Sequence, residues 1–375
     1  MNHCVFYWTN LNYDGRVHII ISSLAVSYPD DKIFLYEYPS EKYSYPHLPR
    51  NVKIIRPKLL FGRLKKSPYK IFKTIEYAIR SFLFLLFKSP SSIQVHHEIV
   101  MYGPLAYKFL FPKKTRLVYD DKELYHIRDK NIGRLEFKTE YCLHEKSDLV
   151  IVANEFRNRA MRIMHPHKLL NTLVLDNYVF KGPEELMLSG KFKKEISVLK
   201  ANNKKILIHQ GSVSPIRGEE LLVSLAEVLP KDWVLAFIGM NDNKFNQFKA
   251  KISTVQADRL YNIGYINYHE LNDFYNYVDA CVLFYLPTSF NNNFCAPNRL
   301  YAAVNSGKPI IVNKNNFVLN HFVTKHNIGE SIATASDAEN FFTKYDKYAD
   351  NASKLKNKYE LSEFDELKSY YRQSS

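Results

Sequence analysis

Short runs of β-branched and aromatic residues alternate with segments of helical length along this chain, and no other feature constrains the fold as strongly. In the first half the strand-like runs are CVFYW (4–8), KIFLYEY (32–38), NVKIIR (51–56), IQVHH (93–97), TRLVYD (115–120) and SDLVIVAN (147–154). Strands separated by helices build a parallel sheet. Ligands bind such sheets at the carboxyl ends of the strands, so functional residues are expected just after these runs.

A polar stretch interrupts the alternation at residues 176–203, which contain two Gly and one Pro. The alternation then restarts, with KKILIHQ, WVLAFIG, RLYNIGY, DACVLFY and PIIVN as strands and helical segments between them. The sequence therefore predicts an α/β protein with two Rossmann-like, doubly wound domains, at 1–178 and 179–353. The charged tail, 354–375, is predicted to form a helix that packs back on the first domain.

Composition excludes several classes of protein. The chain is 46% hydrophobic and 24% charged, as is typical of a soluble globular protein. No apolar run reaches the ~18 residues of a membrane span, and the strand pattern at the very start argues against a signal peptide. The cysteines lie far apart, at Cys4, Cys142, Cys281 and Cys295. This spacing argues against a disulfide framework or a zinc knuckle and favours a reducing, cytoplasmic location.

The positive charge is uneven along the chain. Residues 1–180 hold 28 Lys and Arg against 17 Asp and Glu, whereas residues 181–375 hold 24 against 21. A basic first half suits nucleic acid, an anionic membrane or an acidic substrate. The cations are scattered, and no RNP, helix-turn-helix or zinc motif occurs, so nucleic acid is not expected as a partner.

One basic and aromatic segment, YKIFKTIEYAIRSFLFLLFK at 69–88, has two interpretations. It could be an interfacial helix that is basic on one side and apolar on the other. It could equally be a core helix of the first domain whose Lys and Arg side chains face water. The sequence leaves both open.

The stretch NNNFCAPNRLYAAVNSGKPIIV at 291–312 reads as a loop, a helix, a tight turn and a buried strand. The loop has no carboxylates, and the helix is predicted to begin near Pro297 and Asn298. A helix N-terminus with free amides and the positive end of the dipole is an anion site. Upstream, HQGSVSPIRG places a Gly loop and Arg217 before another helix, which suits an anion as well.

These motifs together resemble the retaining GT-B glycosyltransferases of the glycosyltransferase family 4 type, bacterial enzymes that build lipopolysaccharide, capsule and related surface glycans. The matching landmarks occur in the family's order: the Gly loop with its cation, Gly264-Tyr265, VDACVLFYLPT, APNRLY and SGKPIIV. The first half matches more loosely, through NYDGRVHIIISSLA, VHHEIVMYGPLAY and LVYDDKELYH.

The resemblance implies two Rossmann-like domains facing a central cleft, with a nucleotide-sugar donor held by the second and an acceptor held by the first. Arg217 and the helix start at 297–299 would stabilise the leaving diphosphate, with Arg299 as a second cation. The residues assigned to the donor are Gly15, Arg16, Gly211, Ser212, Gly239, Tyr265, Asn292, Asn293, Ala296, Pro297, Asn298 and Arg299.

The first domain supplies the other candidates. With Arg217, the catalytic candidates are His97 and Glu98, because a His at a strand end can donate a hydrogen bond or move a proton near neutral pH. The alternative, that His96 or His97 is an ordinary polar cap of a buried strand, stays open. The residues assigned to the acceptor are Asp14, Asp120, Lys122 and Glu123.

Three positions depart from the family's pattern. The family usually has a second cation directly after the loop glycine, where this chain has Ser212. It also usually has two glutamates eight residues apart, the second of which binds the ribose hydroxyls; here those positions are Phe294 and Ala302. Ribose recognition is therefore expected to differ, the donor to be unusual, or transfer activity to be lost.

The main hypothesis is a cytoplasmic, metal-independent and cofactor-free glycosyltransferase, peripheral on the inner face of the cytoplasmic membrane. The acceptor would be a growing glycan, for example on a polyprenyl diphosphate lipid, and the basic first domain would face anionic headgroups. The alternatives are a non-catalytic GT-B scaffold in a glycan-assembly complex and a GT-B epimerase that needs no acceptor. No Asp-x-Asp or HExxH motif or cluster of His and Cys indicates a metal.

Overall fold

Two compact units make up the chain: unit 1 is Met1–Asp176 with Ser362–Ser375, and unit 2 is Asn177–Leu361. The structure, a computed structural model, describes residues 1–8, 11, 14–38, 48–61, 69–124, 134–181, 196–197, 199–200, 202–266 and 268–372. The division after Asp176 lies next to the boundary inferred from the sequence. The second division differs more, because the chain returns to unit 1 only at Ser362, later than the expected 354.

Unit 1 is built on a parallel sheet. Its strands are β1 (Asn2–Tyr7), β2 (Lys32–Glu37), β3 (Val52–Ile55), β4 (Ser92–Val95), β5 (Arg116–Asp121), β6 (Leu149–Val152) and β7 (Thr172–Val174). Across the described residues their order is β3-β2-β1-β4-β5-β6-β7. In register, Phe6 of β1 lies opposite Tyr36 of β2 and Val95 of β4. The chain reverses its direction of winding between β1 and β4, which is where such sheets bind ligands.

Helices connect these strands: α1 (Gly15–Ser27), α2 (Tyr69–Lys88), α3 (Tyr102–Leu110), α4 (Arg134–Lys146) and α5 (Glu155–Met164). A 3-10 turn, Glu98–Val100, precedes α3. The helix α1 begins at Gly15, because the Asp14 carboxylate accepts a hydrogen bond from the Val17 amide (3.2 Å) and caps the helix.

Unit 2 repeats the plan of unit 1. A pair of short strands, β8 (Val179–Phe180) and β15 (Glu360–Leu361), lies beside a larger parallel sheet of β9 (Lys205–Gln210), β10 (Trp233–Ile238), β11 (Leu260–Gly264), β12 (Ala280–Leu283), β13 (Ile310–Asn313) and β14 (Gly329–Ile332). Within the described chain the larger sheet has the order β11-β10-β9-β12-β13-β14. The switch point lies between β9 and β12.

The helices of unit 2 are α6 (Glu219–Glu227), α7 (Asp242–Lys249), α8 (Thr254–Ala257), α9 (Tyr268–Tyr277), α10 (Phe290–Asn293), α11 (Asn298–Asn305), α12 (Phe317–His326), α13 (Ala335–Thr343) and α14 (Tyr345–Ser353). A 3-10 turn, Pro215–Arg217, precedes α6. The predicted start of a helix at Asn298 is confirmed. Trp233, Phe237 and Phe341 are buried in the core between sheet and helices.

A last helix, α15 (Asp365–Arg372), belongs to unit 1 and packs on α1. The Phe364 amide donates to Ser23 Oγ (2.7 Å), and Tyr371 OH donates to Gln94 Oε1 (2.7 Å). Ser23, Gln94 and Tyr371 are buried, so the end of the chain is part of the core of unit 1. Among the helices that the structure describes, none has the length and apolar character needed to cross a membrane.

Candidate functional site

Two glycine loops line the carboxyl edge of the unit 2 sheet. Gly211 follows β9 and Gly239 follows β10, both with positive φ (97° and 79°). A Cβ on Gly239 would lie 3.3 Å from Gly211 Cα, so the loops touch through their backbones. Glycine at both positions allows this close approach of the two backbones.

Two arginines meet at this edge over one aromatic ring. The guanidinium carbon of Arg217 lies 3.8 Å from the centroid of the Tyr285 ring, and that of Arg299 lies 4.5 Å from it. Arg217 comes from the 3-10 turn before α6, and Arg299 comes from the first turn of α11. Two like charges near one ring repel each other, and an anion beside them would relieve that repulsion.

Arg299 is held in place without a carboxylate. Its side chain is 7% exposed, and its Nη1 donates to the Gln210 carbonyl. Among the described residues Arg299 forms no ion pair, and its buried Nε has no hydrogen-bond partner. A buried guanidinium is costly unless a counter-charge is supplied, so this position favours an external anion.

The pKa of His209 reflects the positive potential at this edge. It is fully buried at the end of β9. Burial, followed by the charge of Arg299 and then that of Arg217, lowers the pKa of His209 to about 3. The imidazole is therefore neutral at pH 7 and does not add a third charge. Sequence patterns do not single out His209 or Tyr285, because each is one ordinary residue at a strand end.

The N-terminus of α11 supplies backbone donors beside Arg299. Its N-cap is Pro297, which makes no side-chain cap, and its first turn has no acidic residue. By contrast, Glu219 and Glu220 occupy the first turn of α6. An anion would be repelled at α6 and attracted at α11, so the two cations and α11 define one anion site.

The asparagine loop before α11 is used largely for its own structure. Asn292 Nδ2 donates to the carbonyl of Leu286 (3.2 Å) and to Thr288 Oγ1 (3.3 Å), while buried Asn316 donates to the Asn292 carbonyl (2.8 Å). The segment expected as loop, 291–293, is mostly the short helix α10. Buried Asn313 fixes the Tyr285 backbone, accepting from its amide (2.7 Å) and donating to its carbonyl (3.0 Å).

The remaining donor candidates differ in exposure. Ser212 and Tyr265 are exposed, and the carbonyl of buried Ala296 accepts a hydrogen bond from Asn177 (2.8 Å). Asn293 and Asn298 lie at the end of α10 and the start of α11. The two positions that lack glutamate are Ala302, which is buried in α11, and Phe294, whose ring packs on that of Phe290 (5.1 Å).

A closed polar cluster lies at the carboxyl edge of unit 1. Asp120, at the end of β5, is fully buried; its Oδ1 accepts from Arg16 Nε (2.8 Å) and its Oδ2 lies 2.8 Å from His96 Nδ1. Burial opposes ionisation of Asp120, but Arg16 and the hydrogen bond from His96 outweigh it and hold its pKa below the usual value. Arg16 also donates to the Leu175 carbonyl. The carboxylate of Asp120 is thus paired on both of its oxygens, whereas the buried Nε2 of His96 makes no hydrogen bond to the described residues.

Asp14 and Lys122 form a second pair at the same edge. Lys122 Nζ donates to Asp14 Oδ2, and both side chains are mostly buried. Gly15 is the first residue of α1, and Glu123 is partly exposed two positions after β5. Asp14, Arg16, Asp120 and Lys122 therefore lie together at this edge, although the sequence assigned Arg16 to the donor and the other three to the acceptor.

His97 lies beside this cluster, in a more open position. It is the N-cap of the 3-10 turn, where its Nδ1 accepts from the Ile99 amide (3.2 Å) and lies 2.8 Å from Glu98 Oε2. Its ring lies 4.7 Å from that of Trp8. His96 is the buried polar cap that the sequence left as an alternative, whereas the partly exposed His97 can reach a ligand.

One cluster in unit 1 has no counterpart in the sequence patterns. Asp121, Glu140 and His144 are buried and each brings a possible metal-ligand atom within 4.8 Å of the others. His144 Nε2 lies 3.2 Å from Asp121 Oδ2, and its Nδ1 lies 3.1 Å from His165 Nε2. Burial and then the neighbouring His144 lower the pKa of His165 to about 4. The sequence missed this set because its members come from β5, α4 and the end of α5.

The fold is shared with several solved structures, although no protein-family model and no curated protein matches the sequence. Sucrose-phosphate synthase from Thermosynechococcus elongatus has a TM-score of 0.73 at 14% identity, over 100% of this chain and 98% of that chain. HepE from Anabaena in complex with UDP-glucose has a TM-score of 0.67 at 13% identity, over 100% and 99%.

A glycosyltransferase from Rickettsia africae has a TM-score of 0.66 at 11% identity, over 99% of this chain and 97% of that chain. Likeness over essentially the whole length of each chain defines the architecture. The protein has the GT-B fold, with two Rossmann-like domains, as the sequence predicted. At these identities the likeness extends to the fold, and the chemistry has to be argued from the site.

Proposed function

We propose that the protein is a glycosyltransferase that moves a sugar from a nucleoside-diphosphate donor bound in unit 2 to a glycan or lipid-linked acceptor bound in unit 1. The observation that carries this proposal is the pair of arginines, Arg217 and Arg299, on the Tyr285 ring beside the uncapped start of α11. The complex of Anabaena HepE with UDP-glucose supports a nucleotide sugar as the ligand of this fold.

The proposed chemistry uses this positive charge. In transfer, the bond between the anomeric carbon and the phosphate oxygen breaks, and that oxygen keeps the electron pair. The acceptor oxygen bonds to the anomeric carbon, and its proton passes to the departing diphosphate. Preorganised cations and amides stabilise the developing charge more than they stabilise the bound donor, which lowers the barrier.

The cluster of unit 1 suits a neutral, hydroxyl-rich ligand. Arg16 and Lys122 are each paired with a carboxylate, so this edge has little free positive charge. His97 and Glu98 remain as partly exposed groups that can exchange hydrogen bonds with sugar hydroxyls. We assign the acceptor, or the sugar part of the donor, to these two residues.

The resemblance of the sequence motifs supports three finer parts of the proposal. Transfer would retain the anomeric configuration. The product would be a bacterial surface polysaccharide of the lipopolysaccharide or capsule type, with an acceptor on a polyprenyl diphosphate lipid. The enzyme would work in the cytoplasm, peripherally on the inner face of the membrane.

Thermal unfolding with a nucleotide panel tests the donor site. UDP, GDP, ADP, dTDP and CMP are compared, each at about 1 mM; at 100 times its dissociation constant, a ligand adds roughly 2.7 kcal/mol to the stability. We expect one nucleoside diphosphate to raise the midpoint of the native protein. The same ligand should produce little or no shift in Arg217→Ala and Arg299→Met.

Arg259→Ala is the matched control. Arg259 precedes β11, at the opposite edge of the same sheet, where it donates to the Leu229 carbonyl (2.9 Å). Each variant is compared with its own ligand-free midpoint, so a loss of stability is not mistaken for a loss of binding. A shift that survives in Arg299→Met and Arg217→Ala would place the nucleotide elsewhere and refute the proposed site.

We propose transfer without a bound metal. The anion site is built from arginines and amides, which supply the charge that a divalent ion supplies elsewhere. Treatment with EDTA is therefore expected to leave unchanged both the nucleotide-induced shift and the release of UDP from UDP-glucose in the presence of acceptor. A loss that Mn²⁺ or Zn²⁺ restores would contradict this and would bring Asp121, Glu140 and His144 into consideration.

A non-catalytic scaffold is the second candidate, because Ala302 and Phe294 stand where the family usually has glutamates. Ala302 is buried in α11 and offers no hydrogen bond to a ribose. A scaffold would show a weak nucleotide shift or none, and no turnover of any sugar nucleotide with membrane-derived acceptor. Release of the nucleotide product, followed by ³¹P NMR, separates the two candidates.

A further inference from the structure

The helix α2 turns its apolar face away from unit 1. Five large residues spaced four apart along it are each more than half exposed: Ile71 (67%), Ile75 (51%), Ile79 (56%), Leu83 (56%) and Phe87 (83%). Phe72, at 52%, lies beside them. A stripe of this length is unusual on a surface, because single exposed apolar residues are common but contiguous rows mark binding sites.

The opposite face of α2 fixes this orientation. Tyr77, Ser81 and Leu85 are buried, so a hydroxyl faces the protein while larger aliphatic side chains face outward. Ser81 Oγ donates to the Ala78 carbonyl (2.9 Å). Gly103 of α3 lies against α2 so closely that a Cβ there would fall 2.7 Å from the Ala78 carbonyl oxygen. The helix cannot simply rotate to bury its stripe.

More exposed apolar side chains lie on α3. Phe109 (76%) and Leu110 (58%) are exposed at its end, and α3 packs on α2. We call the stripe of α2 together with Phe109 and Leu110 the apolar face. It belongs to unit 1 alone.

The part of the sequence that carries the apolar face is strongly basic. The segment 51–116, which contains both helices, holds 14 Lys and Arg against two carboxylates, Glu76 and Glu98. Nearly all of the net charge of +14 therefore comes from this segment. Lys113 and Lys114 are exposed directly after α3. Glu76 is engaged with Arg80 (2.8 Å) and with the amides of the 60–61 turn.

We propose that the apolar face is a docking surface for an anionic lipid bilayer. Apolar side chains on a helix rimmed by cations enter the headgroup region of a membrane, where the lysines meet lipid phosphates. A second copy of this chain is a poorer occupant, because it would bring the same strongly basic segment into contact with itself.

This inference rests on the proposed function and extends it, because it names a lipid surface as the partner of unit 1. The turn Glu98–Val100, which follows His97, packs on both α2 and α3. The two helices that carry the apolar face therefore also support the residues assigned to the acceptor. A lipid-linked acceptor could then reach His97 without leaving the membrane.

Vesicle flotation tests the proposal with the full chain. Vesicles of phosphatidylcholine alone are compared with vesicles containing 30% phosphatidylglycerol, at about 0.1 M and 0.5 M NaCl, a range in which the Debye length falls from ~10 Å to less than half of that. We expect binding to the anionic vesicles only, and weaker binding at the higher salt concentration.

Two sets of variants assign the binding to the surface. Ile79→Ser with Leu83→Ser should lower vesicle affinity about tenfold per substitution, because each removes an apolar side chain from the buried part of the contact. Lys113→Gln with Lys114→Gln should weaken binding and reduce its salt dependence. Ile163→Ser, at an exposed position on α5, is the matched control and should bind like the native protein.

Several outcomes would overturn the proposal. They are absence of binding to anionic vesicles, equal binding to neutral ones, and binding that the Ile79 and Leu83 changes leave intact. Dimerisation that the same changes abolish would make the apolar face a self-association surface instead. The nucleotide-induced thermal shift, measured on the same variants, should be unchanged, so a failure of docking is distinguished from a failure of the donor site.

Discussion

The carboxyl edges of the two sheets have the same architecture but differ in charge. In unit 1, Arg16 and Lys122 are each paired with a carboxylate, and Asp120 also holds His96. In unit 2, two arginines share the ring of Tyr285, and Arg299 lacks any carboxylate partner within the described chain. The cations of the first edge are neutralised by carboxylates, whereas Arg299 at the second edge has no carboxylate partner among the described residues.

This difference in charge suits the two edges to two different kinds of ligand. A neutralised, buried ion-pair cluster makes a rigid wall but offers little attraction to a charged molecule. An electropositive edge with free amides attracts a phosphate and stabilises charge that develops on it. The contrast thus supports an uncharged sugar ligand at unit 1 and a diphosphate at unit 2, and the predictions below test each side of it.

The largest effect is expected at the closed cluster of unit 1. Asp120→Asn keeps the size and one hydrogen bond but removes the carboxylate charge that faces the buried Arg16 guanidinium, which should cost about 3–5 kcal/mol of unfolding free energy. Glu155→Gln, which breaks the exposed pair with Arg159, is the matched control and should cost less than about 1 kcal/mol. Urea denaturation measures both.

A double variant checks the cause of that loss. Arg16→Met added to Asp120→Asn removes the buried cation that Asp120 faces and should recover part of the lost stability, because the penalty comes mainly from the lost charge pairing. If Asp120→Asn lowers the free energy of unfolding no more than Glu155→Gln does, the pairing of Asp120 with Arg16 does not stabilise unit 1.

The next effect concerns the turn that places Arg217. Gly218 has a φ of 68°, and a Cβ on it would lie 2.8 Å from Phe284 Cβ in the core. Gly218→Ala should therefore cost about 2–4 kcal/mol, the sum of left-handed strain and overpacking, and should abolish the nucleotide-induced shift.

Gly264→Ala separates strain from crowding. Gly264 also has a positive φ (79°), but nothing lies within 4 Å of the position of its Cβ, so only about 1 kcal/mol should be lost. Urea midpoints of the two variants provide the comparison. Equal losses would show that contact with Phe284 does not position the 3-10 turn before α6.

The sequence predicted much of this architecture because strand and helix patterns are local. Runs such as KILIHQ and WVLAFI are almost wholly buried in the structure, so their composition alone identifies them. The strands that sequence reasoning missed, β7, β8, β14 and β15, are two to four residues long and mostly half-buried, for example Gly329–Ile332. Short strands that are not fully buried do not need a continuous apolar run.

The site was less predictable, because it depends on contacts between distant residues. Strand ends correctly pointed to the edge where Asp120 and Lys122 lie, but not to the pairing of Arg16 with Asp120 across 104 positions. The orientation of α2 was equally hidden, because apolar residues lie on both of its faces and the pattern does not say which face is covered. Tyr285 had no motif of its own.

A smaller effect should follow from changing the ring that the two arginines share. Tyr285→Leu removes the aromatic face and should weaken nucleotide binding about 5–30-fold, equivalent to 1–2 kcal/mol of lost cation–π interaction and positioning. Tyr285→Phe keeps the face and should bind like the native protein. Isothermal titration calorimetry with the nucleotide that stabilises the native protein measures both; equal affinities for Leu and Phe would show that the ring does not position the cations.

The smallest effect is a pH dependence that reports the potential of unit 2. The pKa of His209 is lowered to about 3 by burial and the two arginines, whereas an unfolded His titrates near 6.5. Below pH 6.5, His209 therefore binds a proton in the unfolded chain but not in the native state. The free energy of unfolding should fall as the pH drops toward 3, by at most about 1.4 kcal/mol per pH unit from this group.

Difference curves between pH 5.0 and 7.5 isolate that contribution, because burial lowers the pKa of other histidines, such as His3 and His96, and these act in the same direction. His209→Leu should flatten the curve relative to the native protein, and Arg299→Met should flatten it partly, since one cause of the lowered pKa is gone. His167→Gln, at an exposed position, should run parallel to the native curve. If Arg299→Met left the slope unchanged, the positive potential at β9 would not come from Arg299, and the contrast between the two edges would rest on Arg217 alone.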